Sequence, residues 1–65
     1  MILSLAESIS RAIWRMASLG VSAEAITSRA HEMNRAHGSP FAASDVDGQV
    51  EHILETIADD AEVSR

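Results

Sequence analysis

The residues best suited to chemistry lie in one short run, His31-Glu32-Met33-Asn34-Arg35-Ala36-His37. Two histidines and a glutamate this close superficially suggest a hydrolytic zinc helix. That chemistry needs histidines four apart, so that both imidazoles reach one metal, with the glutamate directly after the first as general base. Here the histidines are six apart and project to different sides of a helix. A third ligand, His52, would have to come from another segment. The expectation is no metal site and no cofactor. Nucleophilic catalysis has no better support. The chain holds no cysteine, and no histidine and carboxylate frame a serine in a recognisable order. It has no glycine-rich phosphate loop. A bundle of this size also has little room for a pocket that excludes water. The chain therefore reads as a non-enzyme with no catalytic residue.

Two other constellations point to binding. Asp47, Glu51, Glu55 and Asp59 are spaced four apart, and Glu62 extends the row. Like charges at that helical spacing repel by about 0.2–0.5 kcal/mol per pair. No Lys or Arg lies between Arg35 and Arg65 to offset them. Residues 1–40 hold four arginines against three acids, whereas residues 41–65 hold one arginine against seven acids. One reading is a solvated face that maintains solubility, partly paired with Arg11, Arg15, Arg29 or Arg35. The other is a docking surface for a basic partner, such as a nucleic-acid-binding protein whose phosphate site the acidic helix would occupy. Opposed charge would speed that encounter, and salt would weaken it. The second constellation is Leu3 with Trp14, eleven residues apart and hence three turns along one line of a helix. Both fall outside the main apolar stripe. A tryptophan on a polar face is a poor choice for a monomer, and tryptophan is enriched at interface hot spots. Either the last helix or the tail covers Trp14, or it anchors an interface with a second copy or a foreign protein.

Three helices would position these residues. Ile2, Leu5, Ala6, Ile9, Ala12, Ile13, Met16 and Ala17 form one helical stripe over 2–19, with Ser8, Arg11 and Arg15 opposite. Gly20 sits where a left-handed C-cap belongs. The second helix, 22–37, opens with Ser22 as N-cap, and Val21 and Ile26 occupy hydrophobic-staple positions. Its stripe of Ala23, Ile26, Ala30, Met33 and His37 is thin, and Gly38 is its natural stop. The third helix starts at residue 40 behind Ser39, or at 44, where Ser44 and Asp47 outline a capping box. It runs to 61, with Val46, Val50, Ile53, Leu54, Ile57 and Ala61 turned inward. Gly48 inside it marks a close helix contact, and residues 62–65 fray. Nothing alternates like a strand. The expected fold is all-α, a single domain over 1–65, as a three-helix bundle or helix-turn-helix-like arrangement whose last helix is amphipathic and acidic.

Size and composition bound the function. A chain of 65 residues buries only about 60% of the surface its unfolded form exposes. Disulfides are excluded, so self-association, as a homodimer, is the expected extra source of stability. No apolar run approaches the roughly 20 residues of a membrane span, and residues 1–20 lack the pattern of a signal peptide. A cytoplasmic protein that does not bind membranes is expected. The net charge of −5 disfavours nucleic acid as ligand. All five basic residues are arginine, a bias that GC-rich codon usage also produces.

The order of a helix, Gly20-Val21-Ser22, a second helix, a turn and a third helix opening Ser44-Asp45-Val46 resembles the three-helix core of bacterial helix-turn-helix and winged-helix regulators. The resemblance covers residues 9–58 at the level of pattern. It implies a recognition helix in the major groove, with basic or amide side chains reading bases. A helix over 44–58 would instead present Asp45, Asp47, Glu51 and Glu55, a departure that argues against DNA binding through it. Arg29, His31 and Arg35 on the second helix are then the alternative nucleic-acid contact. The leading expectation is a small acidic regulatory module for protein–protein interaction, an inhibitor or adaptor of the size common in phage- or plasmid-encoded proteins. It would act as a homo-oligomer or docked on a larger basic partner, through Leu3, Trp14, Asp47, Glu51, Glu55 and Asp59. The alternatives are a helix-turn-helix transcriptional regulator and a structural subunit of a larger assembly.

Overall fold

The computed structural model describes residues 4–63, with side-chain surroundings for 4–61. Helix α1 spans Leu5–Ser18, α2 spans Ala23–Ala36 and α3 spans Ala43–Val63. Each packs against the other two, and no strand occurs among the described residues. The chain is an all-α three-helix bundle. No helix among those residues is long and apolar enough to cross a membrane.

Local chemistry sets most of the helix ends. The Ser4 hydroxyl accepts a hydrogen bond from the Glu7 amide and donates to the Glu7 carboxylate, both at 3.2 Å. The Ser4 hydroxyl thus caps α1, which begins at Leu5; Ile2, expected in the stripe, lies outside the described residues. Ser22 caps α2 as expected, accepting from the Ala25 amide. Val21 before that cap packs on the core, and Ile26 is buried.

Helices α1 and α2 end in the same closure. The Val21 amide reaches back to the Met16 carbonyl and the Gly20 amide to Ala17. At the end of α2, Ser39 bonds to Asn34 and Gly38 to Arg35. Both are Schellman turns, which need a left-handed residue after the helix. Gly20 (φ 80) and Gly38 (φ 86) supply it, and Ser39 (φ 55) stays left-handed to tighten the approach to Pro40.

The start of α3 departs from both expectations. The amides of Asp45 and Val46 bond to the Ala42 carbonyl, so the helix begins at Ala43 and Ser44 lies inside its first turn. The Ser44–Asp47 capping box therefore does not form. The cause is Asn34, a buried polar residue on α2. Its amide nitrogen donates to the Phe41 carbonyl at 2.9 Å, and its oxygen accepts from the Phe41 amide at 3.2 Å. This clamp holds Phe41 against the core and delivers the chain into α3 directly after it.

The core consists of Ile9 and Ile13 from α1, Ile26 and Ala30 from α2, and Val46, Val50 and Ile53 from α3. Leu5, Met16, Ala17, Val21, Met33, Phe41, Leu54 and Ile57 pack around it. Four residues expected in the stripes, Ala6, Ala23, His37 and Ala61, are exposed, while Ser8, expected outside, is half-buried. Each helix meets its neighbours over a narrower arc than its apolar stripe, and Ala61 lies past Ile57, beyond the packed part of α3. Gly48 marks no close approach, because a β-carbon built there would have no neighbour within 4 Å.

These contacts give ordered stabilities. Asn34→Ala should cost about 2 kcal/mol or more, since it orphans both Phe41 backbone groups. Gly38→Ala should cost about 1–2 kcal/mol through its left-handed backbone alone. Gly48→Ala should add about 1 kcal/mol of helix stability. Urea unfolding followed by circular dichroism measures all three, and a destabilised Gly48→Ala would contradict the open packing at that site.

Candidate functional site

Helix α1 has one buried face and one free face. Ile9 and Ile13 are buried, whereas Glu7, Arg11, Trp14, Arg15 and Ser18 are exposed. This division follows from helical periodicity, since residues 7, 11, 14 and 18 recur at steps of three or four. Trp14 is 41% exposed, so part of it stays open to solvent; the tail beyond residue 61, one of its two expected covers, lies outside the residues whose side chains are described. The ring forms the common wall of two shallow concavities. One is completed by Arg11, Ala12, Arg15 and Ser18, the other by Ala6, Glu7, Ser10 and Arg11. Both are lined from one helix, whereas a site that encloses a small molecule draws its walls from several elements. The arrangement suits a protruding contact: a ring flanked by two guanidinium groups, seated on a rigid helix. Leu3, expected beside Trp14, lies outside the described residues.

The neighbourhood of Trp14 is tied to α3 by a residue that the stripes did not single out. The Gln49 side-chain amide donates to the Ala6 carbonyl at 3.1 Å and to the Ser10 hydroxyl. Ser10 lies one turn before Trp14, so the tryptophan stands next to the seam between α1 and α3. The only cue in the sequence was a polar side chain bordering the Val46–Val50–Ile53 stripe, which has no direction until the helices are docked.

The acidic row is exposed along its whole length, from Asp47 through Glu51 and Glu55 to Asp59. Four residues advance a helix by 400°, so each step rotates about 40° around α3. The row begins at the seam with α2, where Asp47 Oδ1 lies 2.7 Å from His31 Nε2. From there it winds onto the outer surface. Among the described residues, none of Arg11, Arg15, Arg29 and Arg35 pairs with it, contrary to the expected pairing across the bundle. Arg29 instead pairs with Glu32 on its own helix at 3.1 Å, and His31 takes the cross-bundle position.

The three residues of the nucleic-acid alternative are therefore not a free cationic patch. Arg29 and His31 each face a carboxylate, and only Arg35 stands exposed without one among the described residues. His37 closes the end of α2, its Nδ1 3.1 Å from the Met33 carbonyl. His31, His37 and His52 are not brought together, and no group of three potential metal ligands occurs among the described residues.

A double-mutant cycle on His31→Ala and Asp47→Ala should give a coupling of at most about 1 kcal/mol, reduced by added salt, as for other largely exposed pairs. A larger, salt-independent coupling would mean that this seam holds the bundle together. No protein-family model, characterised protein or solved structure matches the chain.

Proposed function

We propose that this chain is a regulatory protein–protein interaction module, an inhibitor or adaptor that docks through the outer face of α1. Trp14 anchors the contact, and the acidic face of α3 gives it charge selectivity. The observation that carries this reading is the exposure of Trp14. The chain has one tryptophan and one phenylalanine. The phenylalanine is clamped against the core, while the tryptophan is turned outward between Arg11 and Arg15. Covering the exposed part of such a ring would remove roughly 100 Å² of apolar surface from water, worth about 2–3 kcal/mol. That is the scale of an interface hot spot.

The acidic face adds selectivity more than affinity. Exposed carboxylates raise the encounter rate with basic surfaces and repel acidic ones. They also obstruct the approach of a phosphate backbone to α3, which supports a protein partner over a duplex.

Comparing wild type with Trp14→Ala tests this reading. The substitution leaves the core untouched and replaces an exposed residue with the best helix former, so circular dichroism and urea unfolding should show the fold retained. Association, whether with itself or with a captured partner, should weaken about thirtyfold, as expected for a hot spot of about 2 kcal/mol. Sedimentation equilibrium and quantitative pull-down measure it. Undiminished binding in both would remove Trp14 from the interface.

A further inference from the structure

We infer that the segment covering the α1 face is an acidic stretch of a second protein, with carboxylates for Arg11 and Arg15 and one large apolar side chain for the Trp14 ring. This rests on the docking reading above and names the chemistry of its partner. Arg11, Trp14, Arg15 and Ser18 are exposed together on that face. The Ser18 hydroxyl donates to the Trp14 carbonyl at 2.8 Å, and the Glu7 carboxylate accepts from Ser4 at 3.2 Å. Among the described residues, no hydrogen bond or ion pair engages the side chains of Arg11, Arg15 or Trp14. A guanidinium and an indole N–H are donors only. The face therefore lacks acceptors, and carboxylates match the two guanidinium groups in both charge and planar geometry.

Spacing and position agree with that occupant. Arg11 and Arg15 stand four residues apart, a rise of about 6 Å. Two carboxylates one turn apart on a helix, or two residues apart on an extended chain, span the same distance. Trp14 and Arg11 both line each concavity of the face, so an apolar side chain seated in either one meets the ring with a guanidinium beside it. Glu51 and Glu55 do not oppose an acidic segment there. Gln49 faces α1 through Ser10, and those two carboxylates follow it by two and six residues, turned from it by about 200° and 240°. With charges screened over about 8 Å at physiological salt, the two arginines dominate what a segment on α1 meets. A nucleic-acid strand would have to lay many phosphates along a molecule of net charge −5, whereas a short peptide needs only this one face.

Selection of binders from a library of random short peptides on the wild-type chain, followed by titration of Trp14 fluorescence with each recovered peptide, tests this. The recovered peptides should be acidic, should carry a large apolar residue and should move the Trp14 emission to shorter wavelength. R11E/R15E should weaken each of them at least about tenfold, since it replaces attraction with repulsion at the contact. R11K/R15K, which keeps the charge and loses the planar fork, should weaken them less. Duplex DNA at the same salt should not displace them. Both positions are exposed, and Glu and Lys favour helix, so circular dichroism should show both variants folded.

A library that yields no binder, or only neutral or basic ones, overturns the inference. So does duplex DNA that displaces the peptides and is itself lost with R11E/R15E, since the arginines would then serve phosphates. Trp14 emission that shifts with the chain's own concentration alone makes the occupant a second copy, which also overturns the inference and keeps the docking reading. If peptide affinity survives R11E/R15E but falls with Trp14→Ala, the docking reading stands and the acidic partner falls. If it ignores Trp14→Ala as well, both readings fall.

Discussion

Two hydrogen bonds between the Asn34 side chain and the backbone of Phe41 decide how α3 faces the rest of the molecule. An asparagine amide offers a donor and an acceptor side by side, and here both meet the same residue seven positions along the chain. The clamp turns the chain after Pro40 and starts α3 at Ala43. A start one residue earlier or later would rotate every side chain of α3 by about 100° relative to the core. With this phase, Val46, Val50 and Ile53 enter the core, and the acidic row winds around the outside. The amide is buried, so its bonds are not exchanged for water, and losing one partner leaves the other unsatisfied.

That phase has two consequences for the surface. Asp47 falls at the seam with α2, where His31 meets it, and Gln49 falls at the seam with α1, where it reaches Ser10. These polar links bridge α3 to its neighbours on either side without drawing on the arginines. Among the described residues the core is small, seven buried apolar side chains from three helices, and it uses only a narrow arc of each helix. What remains outside includes Arg11 and Arg15 near an exposed ring on α1, and the exposed carboxylates of Glu51, Glu55 and Asp59 on α3. On the proposed reading, fold and contact surface rest on different residues, so the surface can vary in specificity at little cost in stability.

The parts of this arrangement set by local chemistry were legible in the sequence. Ser22, Gly20 and Gly38 act within a few residues of themselves, and their types alone announced a cap and two stops. Periodicity outlined most of the α3 stripe and put Trp14 outside the α1 stripe. What escaped were interactions that close over distance. Asn34 gave no cue because its partners are backbone atoms beyond Pro40. The His31–Asp47 and Gln49–Ser10 contacts depend on how helices are docked, which no single helix specifies. Alanine was the weakest guide, since Ala6, Ala23 and Ala61 fit an apolar stripe yet lie at its edges or beyond its packed length. Gly48 was over-read, because its open surroundings make it a weak point of the helix with no packing role. The Ser4 cap was obscured by the apolar residues before it, which extended the stripe towards residue 2.

The account stands on the claim that Trp14 is open in the isolated chain and covered when the chain is engaged. As the sole tryptophan, it reports on itself. The most direct measurement is acrylamide quenching of its fluorescence across a titration of the wild-type protein with an acidic peptide that binds it. The account predicts strong quenching of the free chain, falling severalfold as the peptide saturates it, with the emission moving to shorter wavelength. Quenching that stays equally strong after association would show that the ring remains in water and that the contact lies elsewhere.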